Sequence, residues 1–298
     1  MQRFMIDQFL DYLRYEKRRS KLTVERYEDS LLDFQCYFEK LENGVDWTSV
    51  DADIIRGWME EMMDKGNNAT SINRRLSALR SFYRFALARK LVDADPAHGV
   101  TGPKKSKVLP QFLRESELDV LLDRELSDAD DYINVRARTI IMMFYATGMR
   151  LSELVGLDET MIDFTTCQLK VTGKRNKQRI VPFGEELKEE LLHYINMRNA
   201  RFPERQAEAL FLTDKGQPMN SNQVRYEVKK HLSKVSTLKK RTPHVLRHTF
   251  ATAMLNHDAG LESVKKLLGH ESLTTTEIYT HTTFEQLKRV YEKAHPRA

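Results

Sequence analysis

The sequence predicts a mainly α-helical protein of two domains, the second of which carries a small antiparallel β-sheet. Its 298 residues exceed the usual size of a single domain. Helical patterns dominate on both sides of a segment rich in proline, glycine and lysine at residues 93–113. One stretch, residues 167–183, alternates instead in the manner of a β-hairpin.

The clearest helix of the first hundred residues is TSINRRLSALRSFYRFALARK, residues 70–90. Apolar residues recur in it at steps of three and four, which predicts a core stripe of Ile72, Leu76, Leu79, Tyr83 and Ala86. The opposite face carries Arg74, Ser77, Ser81 and Arg84. Such a face is either simply solvated or binds phosphates, and the stretch by itself leaves both interpretations open.

The segment DADPAHGVTGPKKSKVLPQFL, residues 93–113, is unlike a helix because it contains three prolines and two glycines. We therefore expect one domain at residues 1–103 and a second at residues 111–298, joined by a basic linker at residues 104–110. The linker lysines either follow a DNA backbone or only keep the segment solvated; they are Lys104, Lys105 and Lys107.

Two stretches of the second domain place basic residues in turns. TIIMMFYATGMRLSELVGL, residues 139–157, begins as an apolar helix, breaks at Gly148 and restarts near Ser152, so Arg150 lies in the turn. CQLKVTGKRNKQRIVPF, residues 167–183, predicts one strand with Leu169 and Val171 and another with Ile180 and Val181. Residues 173–178 form the turn between them, and Lys174 lies at its start.

The stretch RTPHVLRHTFATAM, residues 241–254, predicts a helix capped by Thr242 and begun by Pro243. His244 and Arg247 lie one turn apart and point the same way. His244 and His248 have a spacing that can bind zinc, but the metalloprotease motif needs a glutamate where Val245 stands. A cation beside an imidazole suits an anion such as phosphate better than a metal.

The stretch LGHESLTTTEIYTH, residues 268–281, contains a candidate nucleophile. Thr274 and Glu277 have the spacing of a capping box, so a short helix should begin there with Tyr279 in its second turn. A phenol has a pKa of about 10 and is a poor nucleophile unless cations stabilise its anion. Taken singly, each cationic residue has an ordinary structural explanation, but together they suit a phosphodiester; they are Arg150, Lys174, His244, Arg247 and His270.

Composition favours a soluble protein with a polyanionic partner. The net charge is +5 and the pI about 9.0, and residues 104–298 carry the excess, with 32 Lys+Arg against 26 Asp+Glu. No apolar run approaches the ~18 residues of a membrane span, and the N-terminus lacks a signal-peptide pattern. Cys36 and Cys167 lack metal or redox spacing, so we expect two unpaired thiols in a cytoplasmic protein.

The tail FEQLKRVYEKAHPRA, residues 284–298, predicts a short amphipathic helix at about residues 284–294. Its apolar stripe consists of Phe284, Leu287, Val290 and Tyr291. A helix of this length is marginal alone and needs a groove for the stripe. That groove belongs either to its own domain or to a neighbouring subunit.

Five of these stretches resemble, in order and spacing, the catalytic boxes of the tyrosine recombinases; they are ATGMRLSEL, VTGK, HVLRHTFAT, LLGH and TTTEIYTH. The N-terminal part agrees, because LTVERYEDSLLDF, SINRRLSALRSFYRFAL and DPAHGVTGPKKSKVLP resemble the core-site-binding domain and linker of the Xer subgroup (XerC/XerD-like). The resemblance implies a four-helix SAM-like N-terminal domain that binds DNA and a mostly helical catalytic domain. It also implies that the tail is an exchange helix, which packs into the neighbouring subunit of a tetramer.

The resemblance also implies a role for each residue of the boxes. Tyr279 resembles the nucleophile, which forms a 3′-phosphotyrosyl bond and frees a 5′-hydroxyl. Arg150 and Arg247 resemble the pair that grips the scissile phosphate. Lys174 resembles the general acid that protonates the leaving oxygen.

Three further positions complete the implied site. His244 and His270 resemble the histidines that contact the phosphate and manage protons, and Glu153 resembles an acidic residue behind the arginine. No metal, ATP or other cofactor is implied, because fixed cations supply the charge and the covalent intermediate conserves the phosphodiester energy.

The implied partner is double-stranded DNA with paired recombination half-sites, bound by a homo- or hetero-tetramer that includes a related recombinase. A septal DNA translocase of the FtsK type is a further candidate partner. The implied location is the bacterial cytoplasm near the nucleoid, and no membrane partner is implied. The implied role is resolution of chromosome or plasmid dimers. The alternatives are the integrase of a mobile element, a type IB topoisomerase and a non-catalytic DNA-binding protein.

Overall fold

The computed structural model describes residues 2–41, 44–105, 111–125, 131–173, 178–204, 208–269 and 281–298. The chain divides into two compact units, Met1–Val108 and Leu109–Ala298. The predicted fold class is confirmed, since the described residues are mainly helical and include one small antiparallel sheet. None of the described helices is both long and apolar enough to cross a membrane.

The described part of the N-terminal unit contains four α-helices, as the resemblance implies. They are α1 (Gln2–Asp11), which a π-helical turn extends to Glu16, α2 (Lys21–Phe38), α3 (Ala52–Asp64) and α4 (Ala69–Ala88). Three of them begin at a polar side chain that accepts a hydrogen bond from a free backbone N–H of the first turn. These capping residues are Ser20, Asp51 and Asn68.

The core of the N-terminal unit is aromatic. All five members of the predicted stripe on α4 are buried, with exposed fractions of 0–1%. Trp47 packs against Phe82 with ring centroids 4.5 Å apart, and Phe34 packs against Trp58 at 4.8 Å. Aromatic rings of this size bury enough apolar area to dominate the stability of a small helical unit.

The segment that follows α4 packs along this helix before the chain leaves the unit. Arg80 donates to the carbonyls of Ala97 and Val100, and both of these residues are buried. Asn73 Nδ2 donates to the carbonyl of Pro103 at 2.8 Å. Residues 97–103 therefore belong physically to the N-terminal unit.

The second unit begins with α5 (Glu115–Val120) and is built around the buried helix α6 (Tyr132–Thr147). The remaining elements are α7 (Leu151–Val155), β1 (Ile162–Asp163), β2 (Gln168–Thr172), β3 (Gln178–Pro182), α8 (Glu185–Arg201), α9 (Ser221–Val235), α10 (Pro243–Asn256), α11 (Leu261–Leu268) and α12 (His281–Ala294). Helices α8, α9 and α10 pack against α6. This packing explains why thirteen of the sixteen residues of α6 are buried.

The sheet has the strand order β1-β2-β3, and both pairs are antiparallel. The predicted hairpin is confirmed, with Leu169 opposite Val181. Strand β1 was not predicted, because two residues are too short to show an alternation. Along β3 the buried positions are Arg179, Val181 and Pro182, whereas Ile180 is exposed.

The tail helix α12 packs on the unit to which it belongs. Leu287, Tyr291 and Ala294 are buried in one cluster with apolar residues of α10 and α11. After the helix, His295 Nε2 contacts the Tyr145 carbonyl at 3.2 Å, and Arg297 pairs with three carboxylates, those of Asp119, Asp123 and Glu186. Of the predicted apolar stripe, Leu287 and Tyr291 are buried, whereas Phe284 and Val290 are half-buried. The helix begins at His281, before the predicted start, and in the single chain it packs on its own domain.

Candidate active site

The turn between α6 and α7 presents Arg150. Helix α6 ends at Gly148, which has φ +58°, and a Cβ there would lie 2.4 Å from Phe250 and 2.8 Å from Leu268. A side chain would therefore be excluded by both backbone strain and packing. Helix α7 begins at Leu151, one residue before the predicted restart, and Arg150 is its N-cap residue.

Glu153 lies beneath Arg150 and is almost fully buried. Its carboxylate accepts from the Arg150 backbone N–H at 2.7 Å and from Arg150 Nη1 at 2.9 Å. Arg179 of β3 donates to both carboxylate oxygens, with Nη1–Oε1 at 2.7 Å and Nη2–Oε2 at 3.0 Å. Burial alone would raise the pKa of Glu153, but the hydrogen bonds and charge of Arg179, then those of Arg150, lower it.

Arg247 comes from α10 and is also buried, with 8% of its surface exposed. Its Nη1 donates to the Gly148 carbonyl at 2.5 Å and its Nη2 to the Leu268 carbonyl at 2.7 Å. Burial, together with repulsion from Arg150 and Arg179, lowers the pKa of Arg247 to about 10, against the opposing effect of Glu153. An anion placed beside these arginines would relieve that repulsion.

The three arginines bind three consecutive carbonyls at the end of α11. Arg179 Nε donates to Leu267 at 3.0 Å, Arg247 to Leu268 at 2.7 Å and Arg150 Nη2 to Gly269 at 2.8 Å. The last carbonyls of a helix lack intrahelical partners and carry partial negative charge, so cations bind well there. The arginines thereby hold the point from which the chain continues to His270.

His244 lies in the first turn of α10 and is exposed. Partial burial, followed by the charges of His248 and Arg247, lowers its pKa, which favours the neutral imidazole. Pro243 is the first helical residue, as predicted, but the side chain of the N-cap residue Thr242 makes no capping bond. Among the residues that the structure describes, no group of His, Cys, Asp and Glu side chains could hold a metal ion.

The candidate DNA contacts that the structure describes are exposed; they are Arg74, Ser77, Arg84, Lys104 and Lys105. The first three lie on one side of α4, whereas Ser81 of the same predicted face is half-buried. The bond from Asn73 to Pro103 places the two lysines just after a residue that contacts α4. Lys107 lies outside the described residues.

Three members of the predicted site also lie outside the described residues: Lys174, His270 and Tyr279. The predicted capping box of Thr274 and Glu277 does so too. The structure does bring together Arg150, Glu153 and Arg247, which are separated by up to 97 positions in the chain.

Sequence reasoning missed Arg179. A signal for it exists, because side chains alternate along a strand and the apolar pattern of the hairpin includes Val181 as well as Ile180. Residue 179 then faces the same side as Val181, although it is an arginine. A charged side chain at an inward strand position is informative, since it needs a buried partner.

Comparisons with protein-family models place both units in known families. Residues 111–286 match the model described as the phage integrase family, and residues 6–90 match the N-terminal SAM-like domain of phage integrases.

Known proteins and structures resemble the chain over nearly its whole length. It is 39% identical over 302 residues to the tyrosine recombinase XerC of Pelotomaculum thermopropionicum, with 98% of each protein covered. It is 36% identical over 297 residues to the tyrosine recombinase XerC of Bacillus subtilis, with 97% of this chain and 95% of that protein covered. The XerA recombinase structure matches at 25% identity with a TM-score of 0.50, covering 99% of each chain. The XerH recombinase bound to its difH substrate matches at 21% identity with a TM-score of 0.72, covering 95% of this chain and 83% of that one.

Proposed function

The chain belongs to the phage integrase family as an Xer-type tyrosine recombinase, and from this we propose that it exchanges DNA strands through a 3′-phosphotyrosyl intermediate and a Holliday junction. The observation that carries the proposal is the arginine cluster. The contacts of Arg150 are partly buried and those of Arg247 are buried, and burial together with the charges of Arg150 and Arg179 lowers the pKa of Arg247. A scissile phosphate in that environment would be bound in the way that a phosphoryl transition state requires.

The chemistry follows from the residue types. The Tyr279 hydroxyl gives its proton to one of the two histidines, and its oxygen attacks the scissile phosphorus. The bond to the 5′ oxygen breaks, and Lys174 gives that oxygen a proton. The 3′ phosphate is then bonded to Tyr279, and the 5′-hydroxyl of a second strand attacks it in the reverse reaction. Because the phosphodiester energy is kept in the phosphotyrosyl bond, no ATP is needed.

The histidines of the proposed site support this step without a metal ion. His244 is exposed at the start of α10 and its lowered pKa favours the neutral imidazole, whose ring N–H can donate to a phosphate oxygen. We assign His270 a similar role, since it follows the carbonyls that the arginines bind. Guanidinium groups supply the positive charge that a metal ion provides in other phosphoryl-transfer enzymes.

The N-terminal unit and the linker supply DNA binding in this proposal. Arg74, Ser77 and Arg84 lie exposed on one helix, and Lys104 and Lys105 extend from the same unit. We keep the expected domains at residues 1–103 and 111–298 with the linker at residues 104–110. Binding should weaken steeply with salt, because each phosphate contact releases a counterion.

The proposed assembly is a tetramer on paired half-sites, either of this chain alone or with a related recombinase. In it, α12 would leave its own domain and pack into the neighbouring subunit. Deleting residues 284–298 should then spare binding of one subunit to a half-site but weaken cooperative pairing. A truncated protein that still assembles and recombines normally would rule out the exchange.

The proposed role is resolution of chromosome or plasmid dimers in the bacterial cytoplasm, near the nucleoid, with a septal DNA translocase as a candidate partner. Its support is the likeness to XerC proteins over almost the whole chain. The integrase of a mobile element remains the second candidate, because the family model that matches takes its name from such enzymes.

The decisive experiment is to trap the covalent intermediate. A nicked suicide DNA substrate loses a short fragment after cleavage, so the tyrosine adduct accumulates and is visible on a denaturing gel. The Tyr279→Phe variant should bind the same DNA and form no adduct, since only the hydroxyl is removed. Absence of the wild-type adduct on every site that the protein binds would refute the recombinase mechanism. Relaxation of supercoiled plasmid without site preference would favour a topoisomerase instead.

The role of Lys174 has its own test. Lys174→Ala should cleave slowly on normal DNA and recover on DNA with a bridging 5′ sulfur, which leaves without a proton. Equal slowness on both substrates would show that Lys174 is not the acid.

A further inference from the structure

Arg179 occupies a strand position at which an apolar residue would be expected. It faces inward beside Val181 on β3, and 8% of its surface is exposed. Burying a guanidinium is costly unless it is paired and hydrogen-bonded. The side chain is correspondingly well satisfied, since Nη1 and Nη2 hold the two oxygens of Glu153 and Nε donates to the Leu267 carbonyl.

Each contact of Arg179 leads to the candidate active site. Glu153 is the carboxylate that also binds the backbone and the guanidinium of Arg150. Leu267 lies one residue before the carbonyl that Arg247 binds and two before the one that Arg150 binds. At Gly269, a Cβ would lie 3.1 Å from Cδ of Arg179, so the end of α11 approaches the arginine closely.

We propose that Arg179 is a positioning residue for DNA cleavage: it fixes the Glu153 carboxylate under Arg150 and anchors the last turn of α11. This inference rests on the proposed function, because its effect is on cleavage. The planar fork of Arg179 binds both carboxylate oxygens and so sets the plane of that group. Arg150, which binds the same carboxylate, then has one orientation toward the phosphate.

Loss of Arg179 should affect the chemical step more than DNA binding. Without the fork, the described cations left beside the buried carboxylate would be Arg150, which hydrogen-bonds to it, and Arg247. The guanidinium of Arg150 would then be drawn further toward Glu153. A displacement of about 1 Å in a catalytic group can cost about 10²-fold in rate. The exposed DNA contacts on α4 lie in the other unit, so half-site affinity should change little.

The test compares Arg179→Met with Arg198→Met. Arg198 is a matched control, because it is fully buried in the same unit, pairs with Glu159 and donates to the Leu210 carbonyl. Both variants lose a buried arginine, so both should be less stable in thermal unfolding. Under conditions where both are folded, Arg179→Met should form the covalent adduct about 10²-fold more slowly than wild type. Arg198→Met should keep the wild-type rate, and both should keep wild-type affinity for half-site DNA.

A double variant tests whether Arg179 acts through Arg150. In an Arg150→Ala background, Arg179→Met should slow cleavage little further, because the group that it orients is already gone. A milder variant, Arg179→Lys, keeps the charge but loses the fork, and it answers the same question if Arg179→Met does not fold. It should also cleave slowly while binding DNA normally.

Three outcomes separate the ideas. If wild type forms no adduct, the proposed function fails. If wild type forms the adduct and the Arg179 variants cleave as fast as Arg198→Met, or lose DNA binding and cleavage in parallel, the positioning role is refuted. The positioning role would also be refuted if the fold-decrease in cleavage rate of the double variant equalled the product of the fold-decreases of the two single variants. Arg179 would then act independently of Arg150.

Discussion

Two groups of arginines lie in the second unit, all of them buried except the half-buried Arg150, and their surroundings differ. In one, Arg136 pairs with Asp214 at 2.7 Å and Glu227 at 3.1 Å, and Arg198 pairs with Glu159. In the other, Arg150, Arg179 and Arg247 surround Glu153 and donate to the end of α11. The first group matches carboxylates to cations, whereas the second relies largely on backbone carbonyls.

The pKa directions follow this difference. Burial disfavours the charge of Arg136, but the hydrogen bond to Asp214 and the charge of Glu227 raise its pKa above the usual value. For Arg247, burial and two neighbouring guanidinium groups lower the pKa to about 10. A buried arginine with its own carboxylates stabilises the fold, while crowded arginines suit an anion from outside.

The largest effect should come from a substitution in the first group of arginines. Arg136→Met should destabilise the second unit by about 3–5 kcal/mol, because Glu227 would remain buried without its arginine. Urea unfolding of wild type and variant measures the loss. Replacing Glu227 by Gln in the same chain should recover part of it. Unchanged stability in Arg136→Met would show that the pairs do not support the fold.

The next largest effect should come from substitutions in the second group of arginines. Arg150→Ala or Arg247→Ala should slow formation of the covalent adduct by about 10²–10³-fold, as removal of one contact to a transition-state anion does. Single-turnover cleavage measures it, with Arg136→Met as the comparison at a temperature where that variant is folded. Equal cleavage rates in these variants and in Arg136→Met would show that the two groups do not differ in their effect on cleavage.

His295 contrasts with the buried arginines, because burial keeps its side chain neutral, whereas the arginines stay charged. Burial lowers the pKa of His295 from 6.5 to about 4. His295 takes up a proton below about pH 6.5 in the unfolded chain but only near pH 4 in the folded chain. The contribution of His295 to the free energy of unfolding is therefore constant above pH 6.5 and falls between about pH 6.5 and pH 4. The loss should reach about 3 kcal/mol. Unfolding at several pH values should show it in wild type and in the exposed control His98→Gln, but not in His295→Gln.

The smallest effect uses a simple anion. Sulfate at ten times its dissociation constant should stabilise wild type by about 1.4 kcal/mol, by mass action on the folded state. Thermal unfolding with and without sulfate, at constant ionic strength set by chloride, measures it. Arg198→Met should keep the gain and Arg247→Ala should lose it. A gain that persists in Arg247→Ala would place the anion elsewhere.

The local features of this protein could be predicted from short stretches of sequence. The stripe of α4 follows from three- and four-residue spacing, and every member of it is buried. Gly148 ends α6 because a left-handed residue suits a helix terminus. The hairpin and the amphipathic tail helix follow from the same kind of periodicity. Each of these depends on residues within one or two turns or strands.

The arrangement of the candidate site depended instead on contacts between distant residues. Arg179 meets Glu153 across 26 positions, Arg247 meets the Gly148 carbonyl across 99, and Arg150 meets the Gly269 carbonyl across 119. Arg150 and Arg247 could be named from the sequence, but neither the fork of Arg179 nor the three carbonyls of α11 could. Residue types and most helices could therefore be read from the chain alone. Which charges meet depends on the folded structure, because burial and distance, not order in the chain, set the strength of their interaction.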